Sequence, residues 1–321
     1  MSSAAIRPML AAAKWDEKLI ERHMAEAGYL IMQPKIEGMR ALLHDIPRSR
    51  SGKPLPNRYL AKWLHDNPVL RGLDGEVVSG HTYSADAFRA SMSGIRAENG
   101  SPEFTFFVFD YFLDPIAPHA YEYRFGYYKG LVGPNLNYEA PDGSYHAKIV
   151  LTESRQVKSL DEIYAWEEEL LAQHHEGAIL RRPDKAYKYN RATPLGGELT
   201  KLKRYTTAEA VVYGVEPWYE NLNEAATNEL GYSRRSSHQD NLRPLDKLGA
   251  FLCHKLDDPD IKFKVGTMRG VDHSERERLW AIRDELPGRI FTYTCPDETA
   301  QGGYDKPRQP VFLHWRPSSE F

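Results

Sequence analysis

Cysteine is scarce: Cys253 and Cys295 are the only two in 321 residues, far apart and without a C-x-x-C pair. That spacing supports neither a disulfide framework nor a cysteine zinc site, so both thiols read as small buried hydrophobes. Long apolar runs are missing too. Nothing approaches the roughly 20 residues needed to cross a bilayer, and the alanine-rich opening is broken by Lys14 and Asp16. These absences point to a soluble cytosolic protein. A charge surplus is also lacking: 42 basic and 45 acidic side chains leave −3. A uniformly basic polymer-coating protein is excluded, and any nucleic-acid affinity has to come from a local patch. The chain holds no internal repeat and no long low-complexity tract, and its 12 % aromatic content argues against disorder.

What is present is 41 % hydrophobic residues in a chain of this length, which favours two domains. Aliphatic runs predict strands at 29–32 and 40–46, ended by Pro34 and Pro47, and a helix at 58–67 ended by Pro68. VVSG, following Asp74-Gly75-Glu76, reads as a strand, ADAFRASMSG as a helix, and FTFFVFDYF (104–112) as a buried strand. Ser159 and Glu162 form a capping-box signature for the helix SLDEIYAWEEELLAQHH, and GAILRR and LTKLKRY follow as strands. Beyond Arg204 five short strands (AEAVVYGVEP, LGAFLCHKL, IKFKVGT, RIFTYTC, PVFLHWR) surround one helix at 274–285, again with a capping box, Ser274 and Glu277. That pattern predicts a small antiparallel barrel of the oligonucleotide-binding (OB) type and a boundary near Tyr205, giving domains 1–204 and 205–321. The polar stretch NLNEAATNELGYSRRSSHQDNLRPLDK is too long for a plain connection, so it reads as functional or disordered.

The chemistry concentrates in QPKIEGMR, residues 33–40. A neutral lysine amine is a good nucleophile, yet at an ordinary pKa only about one in a thousand is neutral near pH 7. Lys35 therefore needs desolvation or nearby cations, with Arg40, Lys201, Lys203 or a metal as sources. Glu37 would favour the ammonium, so it is aimed at something else in the reaction. Gly38 permits a close backbone approach or a positive φ. Alone, this pattern reads more readily as a surface ion pair before a turn.

It does not stand alone. KIEGMR resembles motif I (KxDGxR) of the covalent nucleotidyltransferases: DNA ligases, RNA ligases and mRNA capping enzymes. In that family's order follow Ser49-Arg50-Ser51-Gly52 (similar to motif Ia), Asp74-Gly75-Glu76 (III), Phe107-Val108-Phe109-Asp110 (IIIa), Glu176-Gly177-Ala178-Ile179 (IV) and Lys201-Leu202-Lys203 (V). FKVGTMRGVDHSERERLW, GRIFTYTC and PRQPVFLHWR resemble the C-terminal barrel of ATP-dependent DNA ligases, and NEAATNELGYSRRSSH a loop of small bacteriophage ligases. The resemblance runs from about Lys14 to Arg316. It implies an α+β fold, a nucleotidyltransferase (ATP-grasp-like) adenylation domain followed by an OB-fold β-barrel.

The implied reaction is the ligation of nicked duplex DNA with ATP and Mg2+ (or Mn2+) by a monomer: Lys35 takes AMP from ATP, passes it to the 5′-phosphate, and the 3′-hydroxyl displaces it. By the same resemblance Lys35, Glu37, Lys201 and Lys203 are catalytic. Gln33, Ile36, Arg40, Arg50, Glu76, Phe109, Lys201 and Lys203 hold the nucleotide, and Glu176 and Glu76 hold the metal. Two alternating lysines share one strand face and suit phosphate charge, hard carboxylates suit magnesium, and a planar guanidinium suits phosphate or ribose. Arg50, Arg234, Arg235, Lys262, Lys264 and Arg316 make the DNA-binding set, with Ser236, Ser237 and His238 beside it.

The chain departs from the family pattern at Glu37, where aspartate is usual, and at neutral Gln33, where many relatives have an acid that reads the adenine amino group. Motif VI has only Lys306, Arg308 and Arg316 as candidates. A capping guanylyltransferase and an RNA ligase share the core, but the first fits this loop and C-terminus poorly and the second usually lacks the barrel. NAD-dependent ligases need a domain before the lysine. A non-catalytic DNA-end binder is disfavoured because Lys35, Glu76, Glu176, Lys201 and Lys203 are all present. With so few cations set against a net negative charge, DNA affinity is expected to fall steeply with salt. Titration of nicked duplex at low and moderate salt checks this, and a flat response would refute it.

Overall fold

A computed structural model describes residues 7–12, 15–79, 93–133, 137–138, 147–173, 175–227, 233–235, 241–296 and 306–316. It divides into two compact units, Met1–Lys203 and Arg204–Phe321. Among the described residues no helix is long and apolar enough to cross a membrane. The elements are α+β.

The first unit is built on two sheets. One has four antiparallel strands in the order Thr200–Leu202, Ala178–Arg181, Leu30–Pro34, Arg155–Val157. The helices Glu17–Ala27 and Leu160–Ala172 supply Ile20, Met24, Ile163, Trp166 and Leu170 to its core, against Leu30, Met32 and Leu180. The other sheet has five strands in the order Met39–Leu42, Leu73–Ser79, Phe104–Tyr111, Ala147–Leu151, Asn137–Tyr138, with Phe104–Tyr111 and Ala147–Leu151 parallel. Its core takes Leu60 and Leu64 from helix Arg58–His65, and Tyr121, Tyr128 and Val132 from helix Tyr121–Val132. Residues 35–38 connect the two sheets, so Lys35 sits where the chain passes from one to the other.

The second unit carries a six-stranded sheet in the order Lys262–Val265, Leu242–Lys255, Tyr205–Asn221, Ile290–Pro296, Val311–Trp315, Thr267–Met268. Its first and last strands are separated in sequence only by Gly266, so one bent segment serves both edges. Phe251, Phe291, Phe312 and Trp315 pack ring on ring, with centroids 5.2–6.0 Å apart, over the core of this unit.

Several expectations need correction. The strand foreseen at 40–46 ends at Leu42, because Leu42 and Arg48 exchange backbone hydrogen bonds of 2.8 and 2.9 Å and turn the chain before Pro47 reaches it. The helix foreseen at 274–285 starts at His273 and its cap is Asp272, which accepts from the Glu275 amide at 2.8 Å; a 3-10 turn at Arg283–Glu285 follows. Aspartate at 272 therefore takes the role assigned to Ser274. Among the described residues of the polar stretch between the first two strands of the second unit some are paired: Tyr205–Asn221 and Leu242–Lys255 stay paired out to Asn221 and Leu242, and Ala225–Thr227 pairs with Ser233–Arg235. The polar sequence of these arms lacks the apolar alternation that would have revealed them. Of ADAFRASMSG, residues 85–92 lie outside the described residues, as do Ser236, Ser237 and His238.

A buried acid ties the first unit together. Asp110 is 1 % exposed and accepts from Arg124 at 2.8 and 3.1 Å, from Arg181 at 2.7 Å and from the Tyr111 amide at 2.8 Å. Burial favours the neutral acid, but the two guanidinium groups outweigh it and hold its carboxyl below the usual range. Replacing Asp110 with alanine strands two buried cations, so Asp110→Ala is expected to lose about 3–5 kcal/mol of stability. Urea unfolding of the full chain measures this, and a loss below about 1 kcal/mol would mean the arginines find other partners.

Candidate active site

Lys35 follows strand Leu30–Pro34 directly, and its amide donates to the Gly177 carbonyl at 2.9 Å, which joins it to the segment bearing Glu176. The backbone is close there for two reasons. A Cβ on Gly38 would lie 2.4 Å from the Val77 carbonyl oxygen, and Gly177 combines φ +133 with 2.3 Å to the Leu202 carbonyl oxygen. Gly38 therefore serves close approach rather than positive φ, and any side chain at either position pushes strands apart.

Around this crossing the first unit gathers charge. Lys35 Nζ donates to one oxygen of Glu176, and Lys203 Nζ donates to the other. The Lys35 side chain is 25 % exposed, that of Glu176 15 % and that of Lys203 9 %. Burial pushes the Lys35 amine down to about 8, helped by Lys203 and Lys201 and opposed by Glu76 and Glu37. Burial also lowers Lys201, with Lys203, Arg191 and Arg50 adding repulsion. Burial raises Glu76 to about 7, against the pull of Arg40 and Lys35. Lys35, Glu37, Glu76, Glu176, Lys201 and Lys203 thus act on one another directly or through their fields.

The remaining nucleotide-side candidates fall nearby. Arg40 is cross-strand neighbour to Glu76, and its guanidinium lies 4.5 Å from the Phe109 ring centroid. Its Nε and Nη2 donate to Asp74 at 2.5 and 2.7 Å, and Asp74 also accepts from Tyr187 at 2.6 Å. Asp74 is fully buried, so the acid of the DGE motif anchors an arginine and Glu76 is left as the outward acid. Phe109 is only half-buried, whereas Phe104, Phe106, Phe107 and Val108 on its strand are buried. Ile36 packs with Val78 and Phe107. Gln33 is buried; its Nε2 donates to Ser154 at 2.8 Å and to Tyr121 at 3.1 Å, and its Oε1 has no partner. Arg50 is exposed in the turn 49–53, and its charge reaches Glu76 and Lys201.

The DNA-side candidates are spread over two units. Lys262 and Lys264 are both exposed on one strand; Lys262 Nζ lies 5.4 Å from the Tyr213 ring centroid and Lys264 pairs with Glu216. Arg316 faces Glu209 at 3.4 Å. Arg234 and Arg235 lie on strand Ser233–Arg235, which is described by its backbone alone. Of the motif VI candidates, Lys306 is exposed and Arg308 half-buried. Sequence reasoning missed the anchoring role of Asp74, the segment Met9–Leu10 whose Met9 carbonyl accepts from Arg40 at 3.3 Å, and Tyr121 and Ser154 around Gln33. The short pairing of Met9–Leu10 with Asn190–Arg191 leaves no periodic signal.

Among the described residues no cluster of three or more His, Cys, Asp or Glu side chains forms a metal cage. Magnesium takes one or two carboxylates and fills its shell with water and substrate phosphate, and Glu76 and Glu176 are the carboxylates that could serve it. Glu76, which burial holds partly protonated, gains its charge when a cation is near. For the nucleotide, the orphaned buried Oε1 of Gln33 and the half-buried face of Phe109 offer an acceptor and a stacking surface.

Residues 8–203 match the sequence profile of the family described as ATP dependent DNA ligase domain. A search of curated protein sequences finds no match. Among solved structures, the Chlorella virus DNA ligase-adenylate aligns with TM-score 0.53 at 23 % identity, covering 98 % of this chain and 99 % of that one. A Lig E DNA ligase aligns with TM-score 0.59 at 18 % identity, covering 97 % and 99 %. At these identities the likeness is one of fold.

In the protein free of nucleotide and metal, the lowered amine gives a direct check. A lysine with folded pKa below its ordinary value becomes neutral, hence reactive, at lower pH than its peers. Labelling of Lys35 by an amine-directed reagent, followed by peptide mass spectrometry, is expected to reach half its maximum near pH 8. A midpoint matching exposed lysines would contradict the lowered value.

Proposed function

The chain belongs to the ATP-dependent DNA ligase family, and from that premise we propose that Lys35 is the residue that carries AMP. The activity is nick sealing through a covalent adenylate, with ATP and a divalent metal. The observation that carries the assignment to Lys35 is its desolvated amine, held among Glu176, Lys203 and Lys201 with its proton already loosened.

In the first step the neutral Lys35 Nζ attacks the α-phosphorus of ATP. A phosphorus–nitrogen bond forms, the bond to the bridging oxygen of the β-phosphate breaks, pyrophosphate leaves, and the nitrogen sheds one proton to water. Lys201 and Lys203 stabilise the charge that builds on the phosphate. Glu176 and Glu76 would hold the metal, which would supply further positive charge at the phosphates. Once its nitrogen is bonded to phosphorus, Lys35 is no longer an ammonium and its ion pair with Glu176 is lost. AMP then passes to the 5′-phosphate of the nick, and the 3′-hydroxyl, oriented by Glu37, displaces it. Phe109 stacks on adenine, Ile36 packs beside it, Gln33 accepts from its amino group, and Arg40 and Arg50 face ribose or phosphate.

For the second unit the reading is an OB-type barrel, supported by the one bent segment 262–268 that serves both edges of the sheet. Lys262, Lys264, Arg234, Arg235 and Arg316, with Arg50 of the first unit, bind the DNA backbone. The substrate is nicked duplex DNA, the protein acts as a monomer, and its place is the cytoplasm.

Incubation with α-labelled ATP and magnesium is expected to leave covalent label that nicked DNA discharges, and Lys35→Ala is expected to take none. Label undiminished in Lys35→Ala would overturn the assignment, and label that nicked DNA fails to discharge would point to an RNA substrate instead. Lys203→Ala is expected to lower the labelling rate at least about 100-fold, the usual scale for loss of one charge-stabilising donor.

A further inference from the structure

An amide side chain offers an acceptor at one atom and two donors at the other, so its orientation decides which base it recognises. For Gln33 the surrounding hydroxyls fix that orientation. Ser154 Oγ donates to the Thr152 carbonyl at 3.2 Å, so toward Gln33 it is an acceptor, and Nε2 donates to it at 2.8 Å. Tyr121 OH donates to the Phe109 carbonyl at 3.3 Å and accepts from Nε2 at 3.1 Å. Tyr128 OH, 2.9 Å from Tyr121 OH, donates to the same carbonyl at 3.1 Å. Both amide protons of Gln33 are thereby used on protein partners, and Oε1 is the atom left buried without one. Turning the amide over would draw the Ser154 and Tyr121 protons from the Thr152 and Phe109 carbonyls and leave both amide protons without these two acceptors, so the observed orientation keeps more hydrogen bonds.

We propose that Ser154 and Tyr121 lock the Gln33 amide with its acceptor toward the purine, and that as positioning residues they set the preference for ATP over GTP. The proposal rests on the reading of the Lys35 site as the nucleotide site and takes it further. Adenine carries an amino donor at position 6, where guanine carries a carbonyl acceptor. A locked Oε1 accepts from the first and repels the second; a freely turning amide serves both. The shared Phe109 carbonyl ties the amide to the backbone of the ring that stacks on the base, so hydrogen bond and stacking surface are held in one frame. This also explains how a neutral glutamine replaces an acid: an acid accepts through either oxygen and needs no lock, whereas an amide does.

The test measures ATP and GTP dissociation constants by calorimetry in a Lys35→Met background, where no covalent step intervenes. The double variant Ser154→Ala/Tyr121→Phe is expected to reduce the ATP-to-GTP affinity ratio by about tenfold or more, the equivalent of about one hydrogen bond. GTP binding should tighten as ATP binding weakens. With Gln33→Glu added, the same double variant is expected to shift the ratio by less than about twofold, since a carboxylate has no donor edge to present. Ser154→Ala alone, at a half-buried position, provides a second reading should Tyr121→Phe fold poorly. An unchanged ratio, or ATP and GTP weakening in parallel, would overturn the lock. Failure of the unmutated protein to take label from ATP would overturn the Lys35 reading beneath it, and the two failures are distinct.

Discussion

Two lysines share one carboxylate. Lys35 and Lys203 donate to opposite oxygens of Glu176, and each is largely out of water. Three charges of mixed sign in a desolvated space cannot all be fully compensated: the carboxylate satisfies one cation, and the surplus falls on the amine that can most readily lose its proton. Burial first, then Lys203 and Lys201, make Lys35 that amine, against the opposing fields of Glu76 and Glu37. The juxtaposition of Lys35 and Glu37 in the sequence is therefore misleading at close range, because the acid that touches the lysine comes from residue 176.

That charge cluster depends on backbone geometry. Lys35 lies on the crossing between a four-stranded and a five-stranded sheet, and the crossing is tight enough that neither Gly38 nor Gly177 has room for a Cβ. The Lys35 amide to Gly177 carbonyl bond brings motif IV beside motif I, and pairing of Thr200–Leu202 with Ala178–Arg181 brings motif V beside motif IV. On the other side, pairing of Met39–Leu42 with Leu73–Ser79 sets Arg40 opposite Glu76. Gln33, Arg40, Glu76, Phe109 and Lys201 are thus delivered by ladders whose register is fixed by a buried face, and Lys35, Glu176 and Lys203 lie just beyond ladder ends.

A further layer holds these residues without touching the reacting atoms. Asp74 grips Arg40, and Tyr187 grips Asp74. Asp110 grips Arg124 and Arg181, and Arg181 lies 4.3 Å from the ring centroid of Tyr121, whose hydroxyl meets Gln33. Buried polar networks of this kind tolerate little change, since removing one member leaves another desolvated and unpaired.

The sequence alone determined the order of the motifs and their chemistry: a lysine before a glycine, acids at 76 and 176, alternating lysines at 201 and 203, and an aromatic strand with Phe109. It also determined the strands and helices whose periodicity is strong, because local pattern and capping residues act within a few positions. Helix Tyr121–Val132, the paired arms beyond Pro217 and the N-terminal strand escaped, since each has weak or polar patterning and depends on partners far along the chain. Tertiary structure decided which acid neutralises Lys35, that Asp74 anchors rather than binds, and that Ser154 and Tyr121 orient Gln33. Those contacts join residues tens of positions or more apart, and only folding sets their distance and removes the water that would otherwise screen them.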